Sequence, residues 1–442
     1  MSADGIGRVE QGVPARATSY GGARAIGAAA IGNALEWYDF SVYALFAIYI
    51  AKTVFVGGDS VTALVRAFLV FGIGFIARPV GAIVLGAYAD HAGRRAALTL
   101  SLIVMALGTL CIAIVPPYVM IGIAAPIVVL VGRLLQGLSA GGEIGGAVSF
   151  LVEHAPPGKR ARYASWLQAS MAVSNVLGAG VATVLAYVLS VESLTRWGWR
   201  VPFILGLLIA PVGLWLRARL DETPAFEAAR RDRRTSGPLL KPIADILKDQ
   251  PWALAAAAGA SIVWVVGVYT FVFFLPTYAQ RTLHYTPSQA FTASVIGNIV
   301  MAIACIGSGR LADRIGPLQA VRWGALLLLV CPLPVFAWIG QVRSEFALIA
   351  GQTFLCLILA VLAGSAPALL ASLFPTRTRS SGVSLSYNFA ATIFGGFTGA
   401  ILTSLTEGRG IQLAPAYYVI AAAAVSLVVL FAIRPQAAVQ PA

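Results

Sequence analysis

The chain has 442 residues, of which 59% are hydrophobic and only 11% charged, with a mean hydropathy of +0.83. A soluble domain carries about 25% charged residues, so this chain cannot clothe a globule of its size in polar surface, and a bilayer is the solvent that fits. The net charge of +13 does not mark a nucleic-acid binder, because Lys and Arg fall in short segments between apolar runs rather than in one basic patch.

In chain order, residues 1–25 read as a polar, Gly/Ala-rich tail. The apolar run after it is too long for the h-region of a cleavable signal. A transmembrane helix needs about 20 apolar residues. Runs of that kind lie at 26–50, 62–86, 96–116, 121–150, 163–188 and 200–217, then at 252–278, 288–308, 321–340, 346–370, 380–404 and 413–433. The fourth is long and Gly-rich, and is expected to tilt or end early. A polar, basic, proline-containing loop at 218–250 divides the chain into a six-helix bundle at 26–217 and another at 251–433, with a short tail at 434–442. The fold class is therefore an all-α polytopic membrane protein of twelve helices in two bundles.

Basic residues set the orientation. With the N-terminus inside, Arg94, Arg95, Lys159, Arg160, Arg162, Arg310, Arg314, Arg377, Arg379 and the basic central loop fall on one side, and only Lys52, Arg196, Arg281, Arg343 and Arg409 on the other. Both termini are thus expected to be cytoplasmic. The halves also repeat. "GAYADHAGRR" (Gly86 to Arg95) follows the second run and "GRLADRIGPL" (Gly309 to Leu318) follows the eighth, sharing the frame Gly-x-x-Ala-Asp-x-x-Gly. Duplicated bundles are common in secondary transporters.

Two acids interrupt the first run, in "GNALEWYDF". Charges inside a membrane normally face a partner or a wet cavity. Glu36 lies about 15 Å into the run, near mid-depth, and Asp39, three residues on, shares its face. They are either a structural ion pair or the groups that couple protons to a substrate. Arg133, at similar depth in the fourth run, is the natural partner, for an arginine fork grips a carboxylate with two hydrogen bonds. In a wet cavity it would bind an anionic substrate or neutralise Glu36 and Asp39, and alternation between the two would couple transport. Arg78 sits deeper in the second run, and Glu143 reads as a gate or packing partner. Gln168, Asn175, Tyr269, Asn298, Tyr387 and Asn388 are polar residues placed to line a cavity or to bond helix to helix.

All three histidines fall in loops, so carboxylates would carry any proton. The four cysteines lie in apolar runs with neither disulfide nor metal spacing, and read as small buried hydrophobes. Gly142 and Gly146 in "GGEIGG" suggest close helix packing. Trp197, Trp199, Trp252 and Tyr278 suggest interfacial anchors. No nucleophile–base pair, phosphate loop or metal motif appears, so nothing points to an enzyme, a cofactor or a bound metal.

These residues carry a resemblance. "GAYADHAGRR" is similar to the loop between helices two and three of the major facilitator superfamily, with His91 where a basic residue is usual; the second copy lacks the terminal basic pair. "GNALEWYDF", "FGIGFIARPVGA", "RLLQGLSAGGE", "WGWRVPF", "LDETPAF" and "SLSYNFAATIFGG" resemble the metabolite–proton symporters within it, over nearly the whole chain. The resemblance implies a bacterial inner-membrane protein whose pseudo-symmetric bundles rock around a central site. It would act as a monomer, without cofactor, moving protons and a small solute across the bilayer. Gly86, Asp90, Gly93, Arg94 and Arg95 would form a gating loop, with Asp313 its equivalent in the second half. The implied substrates are citrate, tricarballylate, α-ketoglutarate, shikimate, or osmolytes such as proline and betaine. "YIAKTVF" and "RYASWLQAS" look most like the citrate branch. Expected, then, is proton symport of a di- or tricarboxylate. The alternatives are osmolyte or shikimate symport, a proton-antiport exporter, and a receptor or channel that does not transport.

Overall fold

A computed structural model describes residues 22–92, 94–141, 143–218 and 246–434. The central loop reading therefore lies almost wholly outside the described residues. All described regular structure is helical. The first half contains α1 (Gly22–Leu45), α2 (Ala47–Val54), α3 (Ser60–Ala92), α4 (Arg94–Ile114), α5 (Tyr118–Ile121), α6 (Ala124–Ser139), α7 (Glu143–Glu153), α8 (Arg160–Val188), α9 (Val191–Arg196) and α10 (Val201–Ala218). The second contains α11 (Pro251–Val268), α12 (Leu275–Arg281), α13 (Pro287–Ile315), α14 (Pro317–Val330), α15 (Pro332–Val342), α16 (Glu345–Ala363), α17 (Ala366–Ser372), α18 (Arg379–Ala390), α19 (Thr398–Thr403) and α20 (Ala414–Ala432).

Each apolar run coincides with one helix or a broken series of them. Among the described residues, eight helices are long and apolar enough to span a membrane, and the pair α14 and α15, bent by 41°, makes a ninth. The fourth run does not end early: α6 and α7 together make one candidate span, Ala124–Glu153. Near their junction a side chain on Gly141 would lie 2.1 Å from the Arg78 carbonyl.

Local chemistry sets the helix starts. Pro stands in the first turn of α11, α13, α14, α15, α17 and α20, where its missing N–H leaves no bond unmade. Thr286 and Gln289 form a reciprocal capping box on α13. Asp59 accepts from the Thr62 backbone at 2.8 Å just ahead of α3. Bonds from Thr62 hold its carboxyl below the usual carboxylate range.

The halves meet along three helix pairs: α8 runs along α13, α7 along α18, and α3 along α19. Small residues allow this: a side chain on Gly72 would meet the Phe397 ring at 2.7 Å, and one on Gly145 the Ser380 carbonyl at 2.1 Å. Of the GxxxG pair the sequence singled out, Gly142 lies outside the described residues and Gly146 has nothing within 4 Å, whereas Gly145 between them packs closely. The aromatic reading also divides. Trp197 and Trp252 are exposed as anchors require, whereas Trp199 and Tyr278 are buried. Trp199 packs on Phe203 under the Arg200 guanidinium, and the Tyr278 hydroxyl donates to the Gln412 carbonyl at 2.9 Å.

Contacts cross the seam at both ends. On the face where α2 ends and α3 begins, Tyr49 bonds Gln280 at 3.1 Å, and Arg281 pairs with Glu407 at 2.7 Å while donating to Ser60 at 2.9 Å. A cavity of about 240 Å³ beside them is lined by Ile48, Lys52, Asp59, Ala63 and Arg281. On the other face Arg379 pairs with Glu153 at 3.0 Å. There Asp313 accepts from the backbone N–H groups of Ala161 and Arg162 at 2.8 and 3.1 Å.

Candidate functional site

The buried charges gather where α3 and α6 come unusually close. A side chain on Gly137 would lie 1.8 Å from the Gly74 carbonyl, so only glycine permits this approach. It brings Arg78 and Arg133 to one ring. The Phe40 centroid lies 4.8 Å from the Arg78 guanidinium carbon and 4.7 Å from that of Arg133. Arg78 also packs on Trp37 and Phe75, and Arg133 on Tyr43 and Phe71. Aromatic faces are electron-rich and stabilise a cation that water cannot reach.

Glu36, Asp39, Arg78 and Arg133 are all buried. The expected direct grip of Arg133 on the two acids is not what forms. Arg133 Nη1 donates to Gln136 Oε1 at 2.7 Å, Gln136 Nε2 donates to Thr109 Oγ1 at 3.0 Å, and Thr109 Oγ1 donates to Asp39 Oδ2. One continuous chain of hydrogen bonds therefore joins cation to carboxylate through α6, α4 and α1. The rings of Phe40, Tyr43 and Phe71 surround the Arg133 guanidinium where a carboxylate was expected.

The two acids also part company. Asp39 turns into the first half, against Thr109 and the close backbone of Gly206. Glu36 is buried next in sequence to Trp37, whose ring stacks on Phe273 of the second half. A separation of three residues leaves two side chains about 60° apart around the helix, enough to reach different neighbours.

The second half supplies an aromatic wall. Residues Tyr269–Phe274 form a π-helical turn between α11 and α12. Such wider turns are frequent at functional sites. Tyr269 packs on Phe75 at 5.5 Å, Phe273 stacks on Trp37 at 6.3 Å, and Trp264 packs on Tyr387 at 4.9 Å. Trp264 Nε1 donates to Gln168 Oε1 at 3.0 Å across the seam. Pro79 lies inside α3 and supplies no N–H to the Phe75 carbonyl one turn back. Thr392, from a second π-helical turn at Ala391–Gly395, donates to that carbonyl at 3.2 Å.

The other polar residues fall into two groups. Gln168, Tyr269 and Tyr387 belong to this wall. Asn175 accepts from Ser41, Asn298 donates to Ser294 on its own helix, and Asn388 donates to the Gly141 carbonyl at 3.0 Å, so these three tie backbone and helices together. Glu143 begins α7, where the helix dipole favours a carboxylate. Gly93 lies outside the described residues, as do the side chains at Gly86, Asp90, Arg94 and Arg95. Sequence reasoning missed Thr109, Gln136 and Trp264. Gln136 had a signal, standing three residues from Arg133 on one helix face. Thr109 had none, since a hydroxyl in an apolar helix commonly bonds its own backbone, and the Met105 carbonyl at 3.1 Å is the alternative acceptor for its single proton.

A helical bundle whose halves meet over buried charges has the anatomy of a carrier. Residues 29–357 match the Major Facilitator Superfamily. The chain belongs to this superfamily. It is a transporter superfamily, not an enzyme family. The chain is 34% identical over 415 residues to a citrate-proton symporter of Klebsiella pneumoniae, covering 93% of this chain and 92% of that protein. It is 33% identical over 413 residues to a proline/betaine transporter of Salmonella typhimurium, covering 92% and 82% respectively. The fold is that of the xylose transporter XylE from E. coli in a partially occluded inward-open conformation, with a TM-score of 0.71 at 15% identity, over 92% of this chain and 97% of that one. The resemblance to the symporters of this superfamily therefore extends along the chain, and relatives with two different kinds of substrate match it equally well.

Proposed function

We propose that this protein is a proton-coupled symporter that accumulates a small carboxylate-bearing solute by alternating access, with Asp39 as the group that takes up and releases the proton. One observation carries the reading: the buried chain Asp39–Thr109–Gln136–Arg133. Isolated charges are expensive at this depth, so a carboxylate linked to a cation through movable hydrogen bonds holds two states of similar energy. When Asp39 carries the proton, Arg133 loses its counter-charge, and attraction for an anion in the seam rises. When the proton leaves, that attraction falls and the solute departs.

The orientation that goes with this has both termini in the cytoplasm of a bacterial cell, from the asymmetry of Lys and Arg. The Gly86 to Arg95 loop then gates the cytoplasmic side, with Asp313 as its counterpart, and the protein acts as a monomer. The di- or tricarboxylate reading has support from the citrate-proton symporter relatives. A zwitterionic osmolyte is the second reading. It is favoured by the aromatic faces of Trp37, Trp264, Tyr269 and Tyr387, since such faces attract quaternary ammonium groups, and by the proline/betaine relatives.

The test is uptake into proteoliposomes under an inward proton gradient, with labelled citrate, α-ketoglutarate, shikimate and proline, each with and without a protonophore. Protonophore-sensitive accumulation of one solute establishes symport and names the substrate. Accumulation of none, with folded protein in the vesicles, refutes the symport reading for these solutes and turns attention to export.

A further inference from the structure

Arg78 is a buried cation without a counter-ion. It is 2% exposed, and its Nε and Nη2 have no hydrogen-bond acceptor. Among the described residues no carboxylate lies within salt-bridge distance of it. Arg133 differs, with Gln136 and the Phe71 carbonyl as acceptors and a hydrogen-bonded path to Asp39. Burying a guanidinium without hydrogen bonds is among the most unfavourable things a fold does. Here the rings of Trp37, Phe40 and Phe75 hold the plane of Arg78 in place but leave its N–H edge unused.

Two more donors at the seam are also unused. The Tyr269 hydroxyl and Gln168 Nε2 are buried without partners. They belong to the same cluster as Arg78. Tyr269 packs against Phe75, the ring under Arg78, and Gln168 holds Trp264, which packs on Tyr387 in the same aromatic wall. Arg78 and Gln168 stand on the first half and Tyr269 on the second. A ligand that used all three would bridge the parts that move relative to each other.

We propose that Arg78 binds a carboxylate of the transported solute through its free guanidinium edge, with the Tyr269 hydroxyl and the Gln168 amide as supplementary donors and the rest of the solute against the Trp37 and Trp264 faces. The assignment rests on the carboxylate-symport reading and adds a division of labour to it. Arg78 recognises the solute, and Arg133 answers the proton on Asp39. A planar fork matches a carboxylate at two points, whereas a lysine supplies a point charge only. The local geometry ties the two roles together, because both cations share Phe40.

The experiment compares the wild type with R78K, R78Q and Y269F. Each is assayed for uptake of citrate, α-ketoglutarate, shikimate and proline, and for thermal stabilisation of the purified protein by the same four solutes. Wild-type protein should be stabilised by the solute it accumulates. R78Q should lose that stabilisation and raise KM about 100-fold, R78K should raise KM about tenfold, and Y269F severalfold; losing hydrogen bonds to a charged group has effects of this order. If R78Q is stabilised as strongly as the wild type, or changes only maximal velocity, the assignment is wrong while symport stands. If the wild type is stabilised by a solute it never accumulates, and R78Q is not, symport is wrong while Arg78 remains a carboxylate site. Stabilisation of the wild type by none of the four carboxylates overturns the assignment too. Should R78Q fail to fold, R78K and Y269F decide, and unchanged KM in both refutes the proposal.

Discussion

Asp39 and Arg133 show how much a single hydroxyl can decide. Without Thr109 the hydrogen-bonded path between them is cut at its middle. Removing a hydrogen bond to a charged group costs about 1.5–3 kcal/mol. T109V should therefore reduce the protonophore-sensitive accumulation ratio by roughly tenfold or more, with the protein still folded. D39N should go further. It removes the proton carrier but keeps the shape, so solute exchange between the two sides should persist while accumulation against a gradient disappears. Counterflow measured beside net uptake separates the two, and D39N retaining uphill transport would show that the proton travels elsewhere. Much of this site was legible in the chain, since acids and arginines stand out against apolar runs. What was not legible was their pairing. Glu36 and Asp39 share a stripe of α1, but which neighbour each reaches depends on helices up to 350 residues away in sequence.

The close approach of α3 and α6 is the element-scale feature on which the site depends. G137V would drive a side chain into the Gly74 carbonyl, at a contact of 1.8 Å for Cβ alone. Overpacking of this kind costs about 1–3 kcal/mol or more, so the unfolding temperature in detergent should fall by several degrees, and transport should be lost with it. G146A is the control, with nothing within 4 Å, and should match the wild type. A second feature is the start of α8. Its N-cap, Lys159, makes no side-chain cap, and Asp313 from α13 serves instead, accepting from Ala161 and Arg162. A helix is thus capped by the opposite half of the molecule. Loss of a cap costs about 1 kcal/mol, so D313A should favour opening at this face about fivefold. Thiol labelling of a cysteine introduced at Ser165 reads that change, and unaltered labelling would show that the cap does not hold the gate. The sequence repeat marked Asp313 as special; nothing in it named α8 as the partner.

At the scale of the whole molecule, the two ends of the seam are held by different means. One has the Arg379–Glu153 pair together with Asp313, and the other has Arg281 pinned between Glu407 and Ser60. Carriers work by exchanging these closures, so each must be weak enough to break. Glu153 is largely exposed and its ion pair contributes at most about 1 kcal/mol. E153Q should leave transport rates within about threefold of the wild type, by that magnitude. Arg281 is better shielded and makes contacts on both halves. R281A should raise the labelling rate of a cysteine placed at Ser60 and lower the affinity for solute offered from the opposite face. If labelling is unchanged, the closure at that end rests on the Tyr49–Gln280 contact and on packing.

The chain alone determined that it lives in a bilayer, that its apolar runs form helices, and that buried carboxylates and arginines mark its centre. Those facts follow from local composition and from the high free energy of charge in hydrocarbon, both of which a linear sequence displays. Tertiary structure alone decided that Asp39 reaches Arg133 through Thr109 and Gln136, and that Arg78 is left with donors to spare. These depend on which helices pack together and how closely. The approach of α3 to α6 at Gly74 and Gly137, and the ring of Phe40 shared by two guanidiniums, arise from contacts between residues far apart in the chain. Spacing along one helix gives a side chain's direction, but what it meets there is settled only when the other helices are in place.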